Sequence, residues 1–199
     1  MEDFEPNIDD ESKIELTQQE NGSQSRKAGI KREIFSWLEA MTLSIIVITI
    51  LLGFVFRFSQ VVGSSMVPTL HDEDRLIISH LFYTPKRGDV IVVARDNDSP
   101  LVKRIIGVGG DEINIDFEKG ELYVNNVLQK EDYVNTPTTT KQDVNFPVTV
   151  PQGHFFVMGD NRNRSKDSRD SSVGMVKEEN IFGKVVFRVF PFNKIGVIK

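Results

Sequence analysis

The 199-residue chain has no cysteine. That absence removes disulfide frameworks, thiolate zinc sites and cysteine nucleophiles together. Histidine is nearly as scarce, with only His71, His80 and His154, which argues against a multi-histidine metal centre. There is no basic stripe interleaved with aromatics, which argues against nucleic acid as the main partner. No repeat of 20–50 residues is visible. What remains is enough chain for one medium-sized folded domain with accessories.

The formal net charge of −5 is unevenly placed: residues 1–57 carry 6 basic and 10 acidic side chains, residues 58–199 carry 18 and 19. Within residues 1–25, eight acids stand against one lysine, with many Gln, Asn and Ser and few apolar residues. Such a stretch cannot bury enough surface to offset its ordering entropy, so it reads as disordered. Then the sign flips, with Arg26, Lys27, Lys31 and Arg32.

From Ala40 to Phe56 there are 17 uncharged, mostly apolar residues. With its flanks this run meets the lower limit for crossing the hydrocarbon core of about 30 Å. Trp37 stands where an interfacial aromatic would, and Glu39 can lie at headgroup level. A buried core helix is disfavoured by the basic cluster beside the run. A cleaved signal peptide is disfavoured by the long preceding segment and by the lack of a small-x-small site after Phe56. The expectation is an uncleaved transmembrane anchor over residues 34–57. The basic residues before it, against Arg57 alone just after, place residues 1–33 as a cytoplasmic tail. Residues 58–199 are then extracytoplasmic, in a single-pass protein of the cell membrane.

Past the anchor the apolar pattern becomes short and β-rich. Strands are expected at Arg75 to Phe82, Asp89 to Ala94, Leu101 to Val108, Glu112 to Phe117 and Glu121 to Leu128. Three more are expected at Val144 to Val150, His154 to Met158 and Gly183 to Phe190. Asn125-Asn126 is a two-residue hairpin signal, because Asn tolerates positive φ. Lys86 to Asp89 and Pro151-Gln152-Gly153 read as turns. The fold expectation is a mainly β domain of many short strands closing on themselves.

Three stretches carry candidate chemistry. Gly63-Ser64-Ser65-Met66-Val67-Pro68-Thr69-Leu70 is stiffened by Pro68, which fixes its own φ and restricts Val67. It is a good place to hold the Ser65 hydroxyl still, as a nucleophile. Lys103 and Arg104 lie in a strand, so they point to opposite faces, and one faces inward if the other faces solvent. A lysine against an apolar interior has its ammonium form destabilised, and a neutral amine can take a serine proton. A solvated strand lysine is the alternative. The polar loop Gly159 to Arg169 follows an apolar strand. In it Ser165 can bond the Lys103 amine, and Asp167 can pair with Arg169 in bidentate geometry.

Together these stretches resemble the sequence boxes of bacterial type I signal peptidases, membrane-anchored Ser/Lys proteases. The resemblance rests on Ser65 to Leu70, Arg87 to Val92, Val102 to Asp111, Gly159 to Arg169 and Gly183 to Arg188, in the family's order. It covers nearly all of residues 58–199. The short segment from Glu112 to Gln152 resembles the compact forms common in Gram-positive bacteria.

The resemblance implies a coiled β-sheet catalytic domain behind one N-terminal transmembrane helix. It implies that Ser65 is acylated, that Lys103 is the general base, and that Ser165 orients the lysine while Asp167 and Arg169 support the loop. No metal or cofactor is needed. It places pocket walls at Val61, Met66, Leu70 and Val102, suited to small side chains, although plain core packing reads the same in sequence. Gly63 stands where some larger members carry a serine whose hydroxyl aids the oxyanion, so here the oxyanion rests mainly on the Ser65 N–H. The implied partners are signal peptides of secretory preproteins and the bilayer, for a monomer near the secretion translocon. Phe187, Phe190 and Phe192 with Pro191 form a cluster that is either core or in touch with lipid. Two rival readings are another Ser/Lys processing peptidase and an inert membrane-tethered assembly factor; retention of both Ser65 and Lys103 weighs against the latter.

Overall fold

The computed structural model describes residues 33–50, 53, 56–81, 83–95 and 99–198. The expected disordered tail falls, apart from Glu33, outside the described residues. The chain divides into two compact units, Met1–Leu52 and Gly53–Lys199.

In the first unit one helix, α1, runs Glu33–Ile50 and is long and apolar enough to cross a membrane. Its 18 residues rise about 27 Å at 1.5 Å each, close to the hydrocarbon thickness. Phe35, Trp37, Met41 and the other large apolar side chains along it are exposed. The hydroxyls of Thr42, Ser44 and Thr49 donate to the carbonyls of Leu38, Ala40 and Ile45. The polar residues inside the run therefore carry no unsatisfied donor into an apolar surrounding.

The second unit is mainly β. Its strands are β1 (Phe56–Gln60), β2 (Arg75–Ser79), β3 (Val90–Val93), β4 (Leu101–Val108), β5 (Glu112–Asp116) and β6 (Glu121–Val124). They continue as β7 (Val127–Leu128), β8 (Val148–Thr149), β9 (His154–Met158), β10 (Val176–Lys177), β11 (Ile181–Phe190) and β12 (Gly196–Val197). The larger sheet has the order β1-β2-β11-β3-β4-β9-β10, with β12 on β11, and the smaller one β7-β6-β5-β8. Register shifts interrupt β11 against β2 and β3, and β4 against β9. Such bulges bend and twist a strand, which lets a long sheet curl.

Three apolar clusters hold the unit together. One gathers Val61, Met66 and Leu70 with Leu76, Ile78, Val90, Val92 and Val185. A second joins Ile113, Ile115, Leu122 and Val124 of the small sheet to Ile106, Phe156 and Met158. A third takes Ile91, Val93, Ile105, Phe155 and Val157. Alternate residues of β3 thus enter different clusters, so both faces of this central strand are covered, and its sequence is an unbroken apolar run.

Several boundaries differ from the sequence reading. The strand expected from Arg75 ends at Ser79, and Phe82 lies outside the described residues. Only Val148–Thr149 of the stretch from Val144 to Val150 is strand. The residues before it instead bond the loop after β9: Gln142 to Ser165, Val144 to Arg169. Phe56 and Arg57, read as the end of the anchor, begin β1. The apolar run hid that strand because no turn residue separates the two. The Asn125-Asn126 turn does link β6 to β7, with φ of 52° and 63°.

One face of the larger sheet is apolar and open. Phe58 pairs with Ile77, Ile77 with Phe187, and Phe187 with Val197. Paired positions share a face, so these four side chains form a row, and Phe58 at its end is 76% exposed. Phe190 and Phe192 meet edge to face at 5.5 Å, with Phe192 79% exposed. Most of the C-terminal aromatic cluster is therefore at the surface rather than in the core.

Candidate active site

The loop carrying Ser65 is pinned on both sides of the residue. Gly63 adopts φ +86°, a conformation side chains other than hydrogen strain to reach. Its N–H donates to Asp72 Oδ1 at 2.8 Å. Met66 and Leu70 are buried in the first cluster, and the Leu70 N–H closes a turn onto the Met66 carbonyl. Ser65 itself stays half-exposed between these anchors.

Lys103 stands on β4, paired with Ile91 of β3, and is 2% exposed. Its Nζ lies 2.7 Å from Ser65 Oγ and donates to the Val102 carbonyl at 3.0 Å. Burial pushes its pKa from 10.5 down to about 8; Asp167 and Asp160 pull it up, while Arg169 and Arg95 push it down. The amine is therefore neutral in about half of the molecules near pH 8, and in far more of them than an ordinary lysine would be.

Arg104 points to the opposite face of the strand from Lys103, and it does not reach solvent either. It is also 2% exposed. Its Nε and Nη2 donate to Asp160 at 2.8 and 2.7 Å, and its guanidinium lies 4.1 Å from the Tyr133 ring centre. A strand covered on both faces buries adjacent residues alike. Asp160 also accepts the Thr69 hydroxyl at 2.5 Å, tying the Ser65 loop to the strand of Lys103.

The loop after β9 is held by two further buried arginines. Arg169 pairs with Asp167 through Nε at 2.8 Å and Nη2 at 2.9 Å, both side chains fully buried. Arg162 pairs with Glu131 and bonds Thr138. Ser165 is buried here, but its Oγ makes no hydrogen bond, so the expected bond to the Lys103 amine is not formed. Its backbone carbonyl accepts from Gln142 instead. A strap formed by residues 131–144 sets where the loop sits, and a local reading of the serine cannot anticipate that.

Beside Ser65 and Lys103 opens a recess of about 170 Å³. Val61, Met66 and Val102 line it together with Val62 and Leu101. Leu70, also expected as a wall, is fully buried in the core behind. Larger hollows elsewhere, such as the one against Leu122, Leu128 and Thr138, lie away from both residues.

Sequence reasoning passed over Thr69, Gly159, Asp160 and Asn161 as individuals, although all lie in the stretches it singled out. Asn161 donates from its N–H to the Ser65 carbonyl at 2.9 Å and from Nδ2 to the Ser64 carbonyl at 3.0 Å. A polar loop leaving an apolar strand was the available signal.

The model of the family described as signal peptidase, peptidase S26, matches residues 34–190. The chain is 33% identical over 184 residues to signal peptidase I of Bacillus licheniformis, covering 87% of this chain and 97% of that protein. It is 32% identical over 183 residues to signal peptidase IB of Staphylococcus aureus (strain COL), covering 83% and 94%. A crystal structure of a signal peptidase I from Enterococcus faecalis V583 aligns with a TM-score of 0.44 and 32% identity, over 52% of this chain and 98% of that one.

Proposed function

The chain belongs to the signal peptidase family, peptidase S26, and we propose that it removes N-terminal signal peptides from secreted preproteins with Ser65 as nucleophile and Lys103 as base. As a member of that family it is a serine endopeptidase. The observation that carries the reading is the 2.7 Å approach of a buried Lys103 amine to Ser65 Oγ.

The cycle is acyl transfer. Neutral Lys103 takes the Ser65 hydroxyl proton as Oγ attacks the scissile carbonyl carbon. The resulting oxyanion takes the Ser65 N–H, since the Gly63 N–H is committed to Asp72. Collapse breaks the C–N bond, and Lys103 returns its proton to the leaving amine. Water then attacks the ester, giving its proton to Lys103. The ester C–O bond breaks, Lys103 passes that proton to Ser65 Oγ, and the released acid gives its remaining proton to solvent as it becomes a carboxylate.

Val61, Met66 and Val102 give the recess apolar walls of modest size, which suits small side chains before the cleaved bond. Leu70 supports them from behind. Asp167 and Arg169 hold the loop that lies against Ser65, and the Ser165 carbonyl ties it to Gln142. Helix α1 is the membrane anchor, with the N-terminus cytoplasmic and residues 58–199 outside, and the open apolar row beside Phe58 supports contact with the bilayer. The enzyme acts as a monomer near the point where preproteins emerge.

The test is to incubate the full-length protein with a secretory precursor and read the cleavage point by mass spectrometry. Ser65→Ala and Lys103→Met should each abolish cleavage while the protein stays folded. Cleavage by either variant rejects the assignment.

A further inference from the structure

Asn161 touches the nucleophile loop twice, and the two contacts do different things. The backbone N–H holds the Ser65 carbonyl, and the carboxamide holds the Ser64 carbonyl. A carbonyl only accepts, so the side-chain atom facing it is the NH2. The Ser64 carbonyl also accepts the Val67 N–H at 3.3 Å.

The Ser64 carbonyl and the Ser65 N–H belong to one planar peptide unit, in which the two point in opposite directions. Whatever grips the carbonyl therefore sets the direction of the N–H. A donor on the carbonyl also withdraws charge through the amide, making its N–H a stronger donor. Among the described residues the Ser65 N–H donates to no protein acceptor. Two residues before it, the Gly63 N–H is bound to Asp72. Gly63 contributes no hydroxyl here, so more of the oxyanion stabilisation falls on this one amide.

Resting on the acyl-transfer reading above, we propose that Asn161 is a positioning residue of the oxyanion site, aiming and polarising the Ser65 N–H through the Ser64 carbonyl. It touches no substrate atom. The fold does not depend on its side chain, because Met66 and Leu70 anchor the loop and the Asn161 N–H keeps its bond to the Ser65 carbonyl in any variant.

The experiment compares the full-length enzyme with Asn161→Ala and Asn161→Asp, using a peptide that spans a signal-peptide cleavage site. Both variants should lose about tenfold or more in kcat, with KM within about twofold, because the carbonyl's donor acts on the transition state. Asn161→Asp keeps the shape but not the donor, so it should be no better than Asn161→Ala. A peptide aldehyde, whose adduct with Ser65 places an oxygen at the same N–H, should bind more weakly by a similar factor. Its inhibition constant does not respond to a fraction of unfolded enzyme. Wild-type kcat in either variant, a loss confined to KM, or an unchanged aldehyde inhibition constant overturns the proposal. Cleavage by Ser65→Ala or Lys103→Met would instead overturn the reading it rests on.

Discussion

Gly159 and Ser65 stand so close that a methyl group on Gly159 would lie 2.4 Å from the Ser65 carbonyl oxygen. The same methyl would sit 2.3 Å from Ser165 Oγ. The loop after β9 thus lies directly against the backbone of Ser65, with the Gly159 N–H held by Asp167 at 3.0 Å.

Gly159→Ala should accordingly force the two loops apart. Backbone cannot give way as a flexible side chain can, so the expected cost is about 1–3 kcal/mol of stability. Cleavage should fall at least about tenfold, because displacing Ser65 by a fraction of an ångström misaligns the attack. Thermal unfolding and precursor cleavage check both parts; a fully active Gly159→Ala enzyme would show that the loops are not packed this way.

On the proposed mechanism Lys103 should set the pH dependence of both rate and stability. The base must be neutral, so the rate should fall as pH drops through about 8. For stability the sign is opposite to that of a salt-bridged lysine. Its folded pKa lies below the ordinary 10.5, so between about 8 and 10.5 the unfolded chain holds more protons and stability rises with pH. Below about 8 the buried ammonium is a standing cost. Lys103→Met should therefore be inactive yet more stable at pH 7, by about 1–3 kcal/mol. Denaturant unfolding reads this, and a destabilised Lys103→Met protein would contradict it.

The Arg104–Asp160 pair should behave as a unit. Removing one partner leaves a charge in a dry interior, so Arg104→Met or Asp160→Leu should each cost about 3–5 kcal/mol. The double variant should be less destabilised than the two single losses combined, since no lone charge remains. Unfolding midpoints of the three proteins decide this, and simple additivity would mean that the pair is not coupled.

The open apolar row makes a surface prediction. Phe58→Ser removes a mostly exposed ring of the row, and Phe192→Ser one from the neighbouring C-terminal cluster. They should change stability by about 0.5 kcal/mol or less. Binding of residues 53–199 to phospholipid vesicles should weaken severalfold in the double variant, as read by co-sedimentation. Unchanged binding would place the row away from the bilayer.

Much of the architecture was legible in the residues because it is set by near neighbours. The apolar helix over Glu33–Ile50, the extent of β4 and β9, and the Asn125-Asn126 turn follow from local period and backbone preference. That Ser65 and Lys103 would stand together was legible from the order of the stretches around them. Tertiary structure alone decided the rest. It made β1 a strand where hydropathy blends into the apolar run before it, buried Arg104 beside Lys103 because both faces of the central strands are covered, and left Ser165 Oγ unbonded. It also brought Asn161 onto the Ser64 carbonyl across a sequence separation of 97 residues. Local pattern reports which way a side chain leaves its own backbone, whereas these contacts depend on which distant backbone the sheet brings to meet it.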